Sequence, residues 1–293
     1  MILAKIGRFS LRPSPIVSSG SAKWFASGHN YVTVEPDSEM DNVAIVKMQK
    51  KPFNVLCTDM LQQLTTTFQE LPKEKKYKAA ILTSNIPGVF SAGLDIMSVY
   101  GRTSDEIYSF AMDIQNAWIA LYGNPMITVA GINGTSPAAG CLLALSCDHR
   151  IMAEGKFGIG FNETKVVSMS AVVAMGGIWM KNTMQNVIGF RKTEKALQEG
   201  TLFTPSQAKE IGLVDVVAPM DQIIPSCRDF IKQYLKLPYG PRSMTKQMLR
   251  QDTIKQLKSA MKEDAEASAL YLSDPAFQKV LGSYVAAMSE GKA

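Results

Sequence analysis

Twice in this chain an apolar run enters a turn of small residues and leaves it as a helical pattern, and this repetition limits the possible folds more than any other feature. The first instance joins Ala79-Ala80-Ile81-Leu82-Thr83 to Phe90-Ser91-Ala92-Gly93-Leu94-Asp95-Ile96. The second joins Met126-Ile127-Thr128-Val129-Ala130 to the stretch from Gly131 to Gly140, which opens a helix from Cys141 to Cys147. Short unbroken apolar runs suit strands buried on both faces, so the expected class is α/β. Gly93 relieves the steric limit on its turn and Asp95 is placed to cap the helix that follows, so the Leu94 N–H can point above the strand end. Taken singly, each turn has a plainer reading as a change of chain direction. Successive parallel units stand side by side, however, and that brings the N–H groups of Leu94 and Ala139 together at the carboxyl ends of the strands. Two convergent donors make an oxyanion hole, in which each is worth ~2.7 to 4 kcal/mol of barrier.

Around this pair the chain reads in order. Tyr31-Val32-Thr33-Val34 and Val43-Ala44-Ile45-Val46 predict a hairpin. A helix from Thr58 carries Leu61, Leu64, Phe68 and Leu71 on one face and ends at Pro72. The lysines of Lys73 to Lys78 read as a solvated loop or as a contact for a phosphate-bearing ligand. Thr103 and Glu106 have capping-box spacing ahead of a helix burying Ile107, Phe110, Ile114, Trp118 and Leu121. Met169, Met175, Met180 and Met184 suit core packing, or the lining of an adaptable pocket. Gly200 and Gly212 each fall where a helix wants a left-handed end, and Val214 to Val217 returns a strand. From Gln222 onward the pattern is helical, with Ile223, Ile224, Cys227, Phe230, Ile231, Tyr234, Leu257, Met261 and Leu270 as apolar contacts and a break around Pro238 to Pro241.

Composition excludes several classes. No apolar run reaches the ~18 residues of a membrane span, the best candidate being Ser168 to Met180. Cys57, Cys141, Cys147 and Cys227 show no C-x-x-C spacing, and His29 and His149 are the only histidines, so neither a metal site nor a histidine-activated nucleophile is expected. The first 28 residues hold Lys5, Arg8, Arg12 and Lys23 among many serines, with no acidic residue before Glu35. That is the composition of a mitochondrial transit peptide, against the plainer reading of a disordered basic tail. Most of the net charge of +5 belongs to those four cations, so no nucleic-acid partner is implied.

The segments Phe90 to Ile96, Ile132-Asn133-Gly134, Pro137-Ala138-Ala139-Gly140-Cys141, Cys147-Asp148 and Ala208 to Asp215 together resemble the crotonase, or enoyl-CoA hydratase/isomerase, family. Within it, Gly160-Phe161-Asn162-Glu163-Thr164 looks most like the mitochondrial 3,2-enoyl-CoA isomerases. The resemblance implies a core of repeated β-β-α units over residues 29–220, after a transit peptide over 1–28, and a C-terminal helical association region over 221–293. It also implies a homotrimer in the mitochondrial matrix acting in β-oxidation. The substrate would be an acyl-CoA thioester bound at Ala92, Gly93, Leu94, Asp95, Ile96, Ala139 and Asn162, with no separate cofactor, coenzyme A being part of the substrate. The second hole position is usually glycine in the family and is Ala139 here. Alanine tolerates positive φ poorly, so either this residue is helical or the hole is altered.

Family hydratases carry one catalytic glutamate after the Gly-Cys pair, where this chain has Leu142, and another in the segment of Glu163. Read alone, Asn162-Glu163-Thr164 is a loop or helix start with a solvated glutamate. Read with the resemblance, the chain keeps one of two carboxylates. Adding water across a double bond normally employs two, and moving a proton between carbons needs one. The expectation is therefore an isomerase with Glu163 as its base and Asn162 orienting the carboxylate or the thioester. A hydratase and a non-catalytic acyl-CoA-binding member are the alternatives.

Overall fold

The computed structural model describes residues 29–165 and 170–289, without the side chains of 170–176, 178 and 288–289. The hairpin forms as expected from β1 (Val32–Pro36) and β2 (Val43–Met48), and α1 (Thr58–Glu70) turns Leu61, Leu64 and Phe68 inward. Three strand pairs follow. They are β3 (Ala79–Ser84) with β4 (Gly88–Val89), β5 (Ile127–Ile132) with β6 (Gly134–Pro137), and β7 (His149–Ala153) with β8 (Ile159–Gly160). The helices α2 (Ser104–Tyr122), α3 (Ala139–Ser146) and α4 (Ser170–Ile188) succeed these pairs in turn. The chain closes with α5 (Phe190–Glu199), α6 (Pro205–Ile211), β9 (Val216–Ala218), α7 (Ile223–Leu235), α8 (Tyr239–Leu272) and α9 (Pro275–Ser289).

The long strands build one sheet in the order β1-β2-β3-β5-β7-β9, parallel throughout except for the β1–β2 hairpin. Alternation along its strands divides two cores. Leu82, Ala130 and Met152 pack toward α1, α2 and α3, while Ile81, Val129 and Ile151 meet Ile223, Cys227 and Ile231 of α7 on the other face. Each fully buried Leu, Ile, Val or Met among them contributes roughly 1.5–3 kcal/mol, so both faces hold the sheet. The short strands form a second parallel sheet, β4-β6-β8, and each ends just before a segment of interest: 90–95, the start of α3, and 161–163.

Several local expectations change. The stretch 131–140 contains a strand, because Gly134 lets β6 lie against β4 so closely that a Cβ there would sit 1.9 Å from the Gly88 carbonyl carbon. The element after Asp95 is a single 3-10 turn, Ile96–Ser98, and α2 begins only at the Thr103–Glu106 capping box. The C-terminal break precedes Tyr239, and Pro241 lies in the first turn of α8, where no intrahelical bond is lost. A second break follows Leu272. Leu272 takes the buried position, and Leu270 is 76% exposed.

Three cations spaced four apart bind α8 to the core. Arg242 donates to Pro125 O (2.8 Å), Lys246 to Met126 O and Asp148 (both 2.9 Å), and Arg250 to Tyr122 O (2.8 Å) and Ser146 O (2.9 Å). Arg250 thereby fills the carbonyl ends of α2 and α3, which have no intrahelical donors of their own.

Candidate active site

The turn at 90–95 is moulded against residues 53–56. Leu56 N–H donates to Gly93 O (2.8 Å) and Asp95 N–H to Leu56 O (3.2 Å), forming a single parallel bridge between Leu56 and Leu94. In such a bridge the flanking groups bond inward and the N–H of the middle residue points away. Leu94 N–H accordingly has no acceptor among the described residues. The Ala139 N–H is also free of protein acceptors among them, because Ala139 is the first residue of α3 and its amide precedes the helical ladder. Backbone contact holds the two turns together. A Cβ on Gly93 would lie 3.5 Å from Ala139 N, and one on Gly140 would lie 2.4 Å from Ser91 O.

The alternative left open at Ala139 is resolved one residue earlier. Ala138 takes the positive φ, 50°, with ψ −127°, and Ala139 is helical. Ala138 is held there at both ends, its N–H donating to Gly160 O (2.8 Å) and its O accepting from Leu142 N–H (3.1 Å).

Ala92, Leu94, Ile96, Ala139, Asn162 and Glu163 share the wall of one cavity of about 240 Å³. Gly93 lies buried beneath the wall. Asp95 turns away from it, accepting from Met97 N–H (3.1 Å) and pairing with Lys50 (3.2 Å). Pro137, Ala138, Met180 and Tyr284 complete the lining. Met180 is the one methionine of the expected group placed here, and Met184 is core; Met169 and the Met175 side chain lie outside the described residues. Tyr284 arrives on α9, and no local pattern in the sequence marks it. Gln278 latches that helix to the turn after Ile96–Ser98, accepting from Gly101 N–H (2.9 Å) and donating to Val99 O (3.2 Å).

Glu163 is 7% exposed, and its Oε1 has no hydrogen-bond partner among the described residues. Burial pushes its carboxyl up to about 7, against a smaller opposing pull from its own backbone N–H. It is the one carboxylate in the cavity wall among the described residues. Leu142 is buried in α3 and contributes nothing polar. The Asn162 side chain makes no bond to Glu163 among the described residues, although the two are adjacent in the wall. Burial, and next the neighbouring Glu163 carboxylate, raise the Cys141 thiol and keep it protonated. His149 lies elsewhere, stacked on Phe230 and 3.4 Å from Asp215.

A larger cleft, of about 530 Å³, opens beside α8. Its buried cations, Lys246 and Arg250, are both paired with Asp148, and no carboxylate in its wall is left unpaired among the described residues. Chemistry rather than size selects the smaller cavity.

Comparison with known proteins agrees with this geometry. The profile of the family "Enoyl-CoA hydratase/isomerase" matches residues 38–288. The mouse protein "Enoyl-CoA delta isomerase 1, mitochondrial" is 39% identical over 251 residues, 85% of each chain, and its human counterpart is 36% identical over 266 residues, 90% of this chain and 86% of that one. The crystal structure of human mitochondrial delta3-delta2-enoyl-CoA isomerase superposes with a TM-score of 0.84 at 36% identity, covering 90% of this chain and all of that one. With a family profile matching residues 38–288 and relatives 36–39% identical over 85–90% of its length, the chain belongs to the enoyl-CoA hydratase/isomerase family.

Proposed function

We propose that this protein is an enoyl-CoA delta isomerase, which moves the double bond of a 3-enoyl-CoA to the trans-2 position. The observation that carries the reading is Glu163, among the described residues a buried carboxylate with an unpartnered oxygen, alone in a cavity walled by two free backbone donors. The thioester oxygen lies between the N–H groups of Leu94 and Ala139, and the carbon next to the thioester faces Glu163. Glu163 takes a proton from that carbon, the electron pair passes into the thioester, and the oxygen becomes an enolate held by both donors. The same carboxyl returns the proton two carbons along, and the double bond settles in conjugation. A carboxyl near 7 suits a group that both receives and releases a proton at neutral pH. Asn162 orients the thioester or the carboxylate, and coenzyme A is part of the substrate.

The names of the mouse and human relatives, together with the acid-free basic leader, support a mitochondrial location, in our reading the matrix after removal of residues 1–28. Exposed Met244, Met248 and Leu249 on α8 support a self-association role for the region 221–293, in our reading as a homotrimer. The deciding experiment supplies purified protein with a 3-enoyl-CoA and follows conjugation in the ultraviolet, with a parallel assay for hydration of a 2-enoyl-CoA. Conjugation without hydration is expected, and rapid hydration would overturn the reading.

A further inference from the structure

The direction of the Leu94 N–H is set by a loop that does not line the cavity. Residues 53–56 bond to the turn at several points. Besides the Leu56 bridge, Ala92 N–H donates to Phe53 O (2.9 Å) and Ser91 Oγ to Asn54 O (2.8 Å), while Gly93 N–H is bound by Ser91 Oγ (3.2 Å). Of the N–H groups of Ala92 to Asp95, the Leu94 amide is the one without an acceptor among the described residues.

One side chain holds that loop. Asn54 is fully buried, and its Nδ2 donates to Ser84 Oγ (2.7 Å) and Phe90 O (3.1 Å), with Met48 O at 3.4 Å, while Oδ1 accepts from Lys50 N–H (2.7 Å). It thus joins the ends of β2 and β3 to the entry of the turn, and its own carbonyl holds Ser91. Its backbone is left-handed, with φ 48°, a conformation that asparagine tolerates better than most residues. Aspartate would offer acceptors where Ser84 and Phe90 need a donor.

We propose that Asn54 is a positioning residue for the oxyanion hole, fixing the loop against which residues 90–95 are moulded and so aiming the Leu94 N–H. This inference rests on the reading of Leu94 and Ala139 as the donors to the thioester oxygen. A misaimed donor matters most where charge develops, so its loss lowers turnover more than it weakens substrate binding.

Asn54→Gly tests the proposal, because glycine keeps the left-handed backbone and removes only the side chain. Turnover is measured with a 3-enoyl-CoA. In parallel, the absorbance of a bound push-pull aryl-acryloyl-CoA is recorded, since its band moves to the red when the thioester oxygen is hydrogen-bonded. The expected result is a kcat lower by ~10-fold or more, a KM within ~3-fold of native, and a red shift cut to less than about half. A purely structural role would lower thermal stability while leaving kcat per folded molecule and the red shift unchanged, and that result overturns the proposal. Ser91→Ala provides the second variant, since it cuts the ties to Asn54 O and Gly93 N–H and leaves the asparagine side chain in place. A smaller change in the same direction is expected. Should Asn54→Gly fail to fold, native turnover and a native red shift in Ser91→Ala overturn the proposal by themselves. Absence of any red shift in the native protein would instead locate the failure in the oxyanion-hole reading.

Discussion

A methyl group placed on Gly93 would come within 3.1 Å of the Ala138 Cβ. Gly93 also has φ 95°, a region that side chains rarely adopt, so a methyl group there would be strained and would need Ala138 to give way. Gly93→Ala should therefore lower stability by ~1–3 kcal/mol and depress kcat far more than KM, because the methyl group pushes Ala138, and with it the Ala139 N–H, out of line. Thermal melting and steady-state kinetics on the same preparation check both halves. A variant with native kcat would show that the donors tolerate the displacement.

Ala139→Pro is a cleaner deletion than its name suggests. The first position of a helix is where proline fits best, so the N–H is removed with little damage to α3. The expected loss is ~2 kcal/mol or more of transition-state stabilisation, read as a fall in kcat/KM of roughly 30-fold. Near-native turnover in a folded variant removes the donor from this position.

Glu163→Gln keeps the shape of the side chain but cannot accept a proton, and should lower isomerisation ~10²-fold or more with binding nearly intact. For the native protein, kcat/KM should fall as pH drops below about 7, since the base must be ionised to act. A stability effect runs the other way. Burial raises this carboxyl above its ordinary value, so between about 4.5 and 7 the native state retains a proton that the unfolded chain releases. Stability from this group is then full at low pH and declines as pH rises through that window. Glu163→Gln should consequently be more stable than native at pH 8, by up to ~3 kcal/mol, and no more stable near pH 4. Identical melting curves at pH 8 would count against the buried, ionisable base.

Asp148 accepts from Lys246 and pairs with Arg250 at 2.9 and 3.0 Å, with all three side chains largely out of water. Asp148→Asn leaves two cations without their counter-charge and should destabilise the fold by ~3–5 kcal/mol, seen as a lower denaturation midpoint. A shift below ~1 kcal/mol would mean that water or another group compensates the cations.

Residues 1–28 should be dispensable for activity and sufficient to carry a fused reporter to mitochondria. A reporter that remains in the cytosol would refute this.

Elements with strong local chemistry were legible in the sequence. The Thr103–Glu106 capping box forms both reciprocal bonds, at 2.8 and 3.3 Å, and Gly200 and Gly212 adopt the left-handed ends expected of them. The paired turns were legible because small residues at Gly93 and Gly140 reflect how closely two backbones pass. What escaped has no local period. β4 and β8 are two residues long, too short to alternate, and exist because β6 lies between them. Tyr284 and Asn54 gain their places only when distant segments meet: one through the Gln278 latch, the other through bonds to β2, β3 and the Phe90 turn. The role of Glu163 came through family likeness, since its tripeptide alone suggests a solvated loop. Only the packed structure takes that carboxylate out of water.

The grip of α8 on the core has a consequence for the order of events during synthesis. Tyr122 O and Ser146 O, the carbonyls on which α2 and α3 close, have their donor in Arg250, and Asp148 has its counter-charges in Lys246 and Arg250. Until that helix leaves the ribosome, water must satisfy those groups in place of its cations. These ties join residues 98 to 128 positions apart in sequence, so they close late. The carbonyls that close the first helices are thus satisfied by a side chain made more than a hundred residues later.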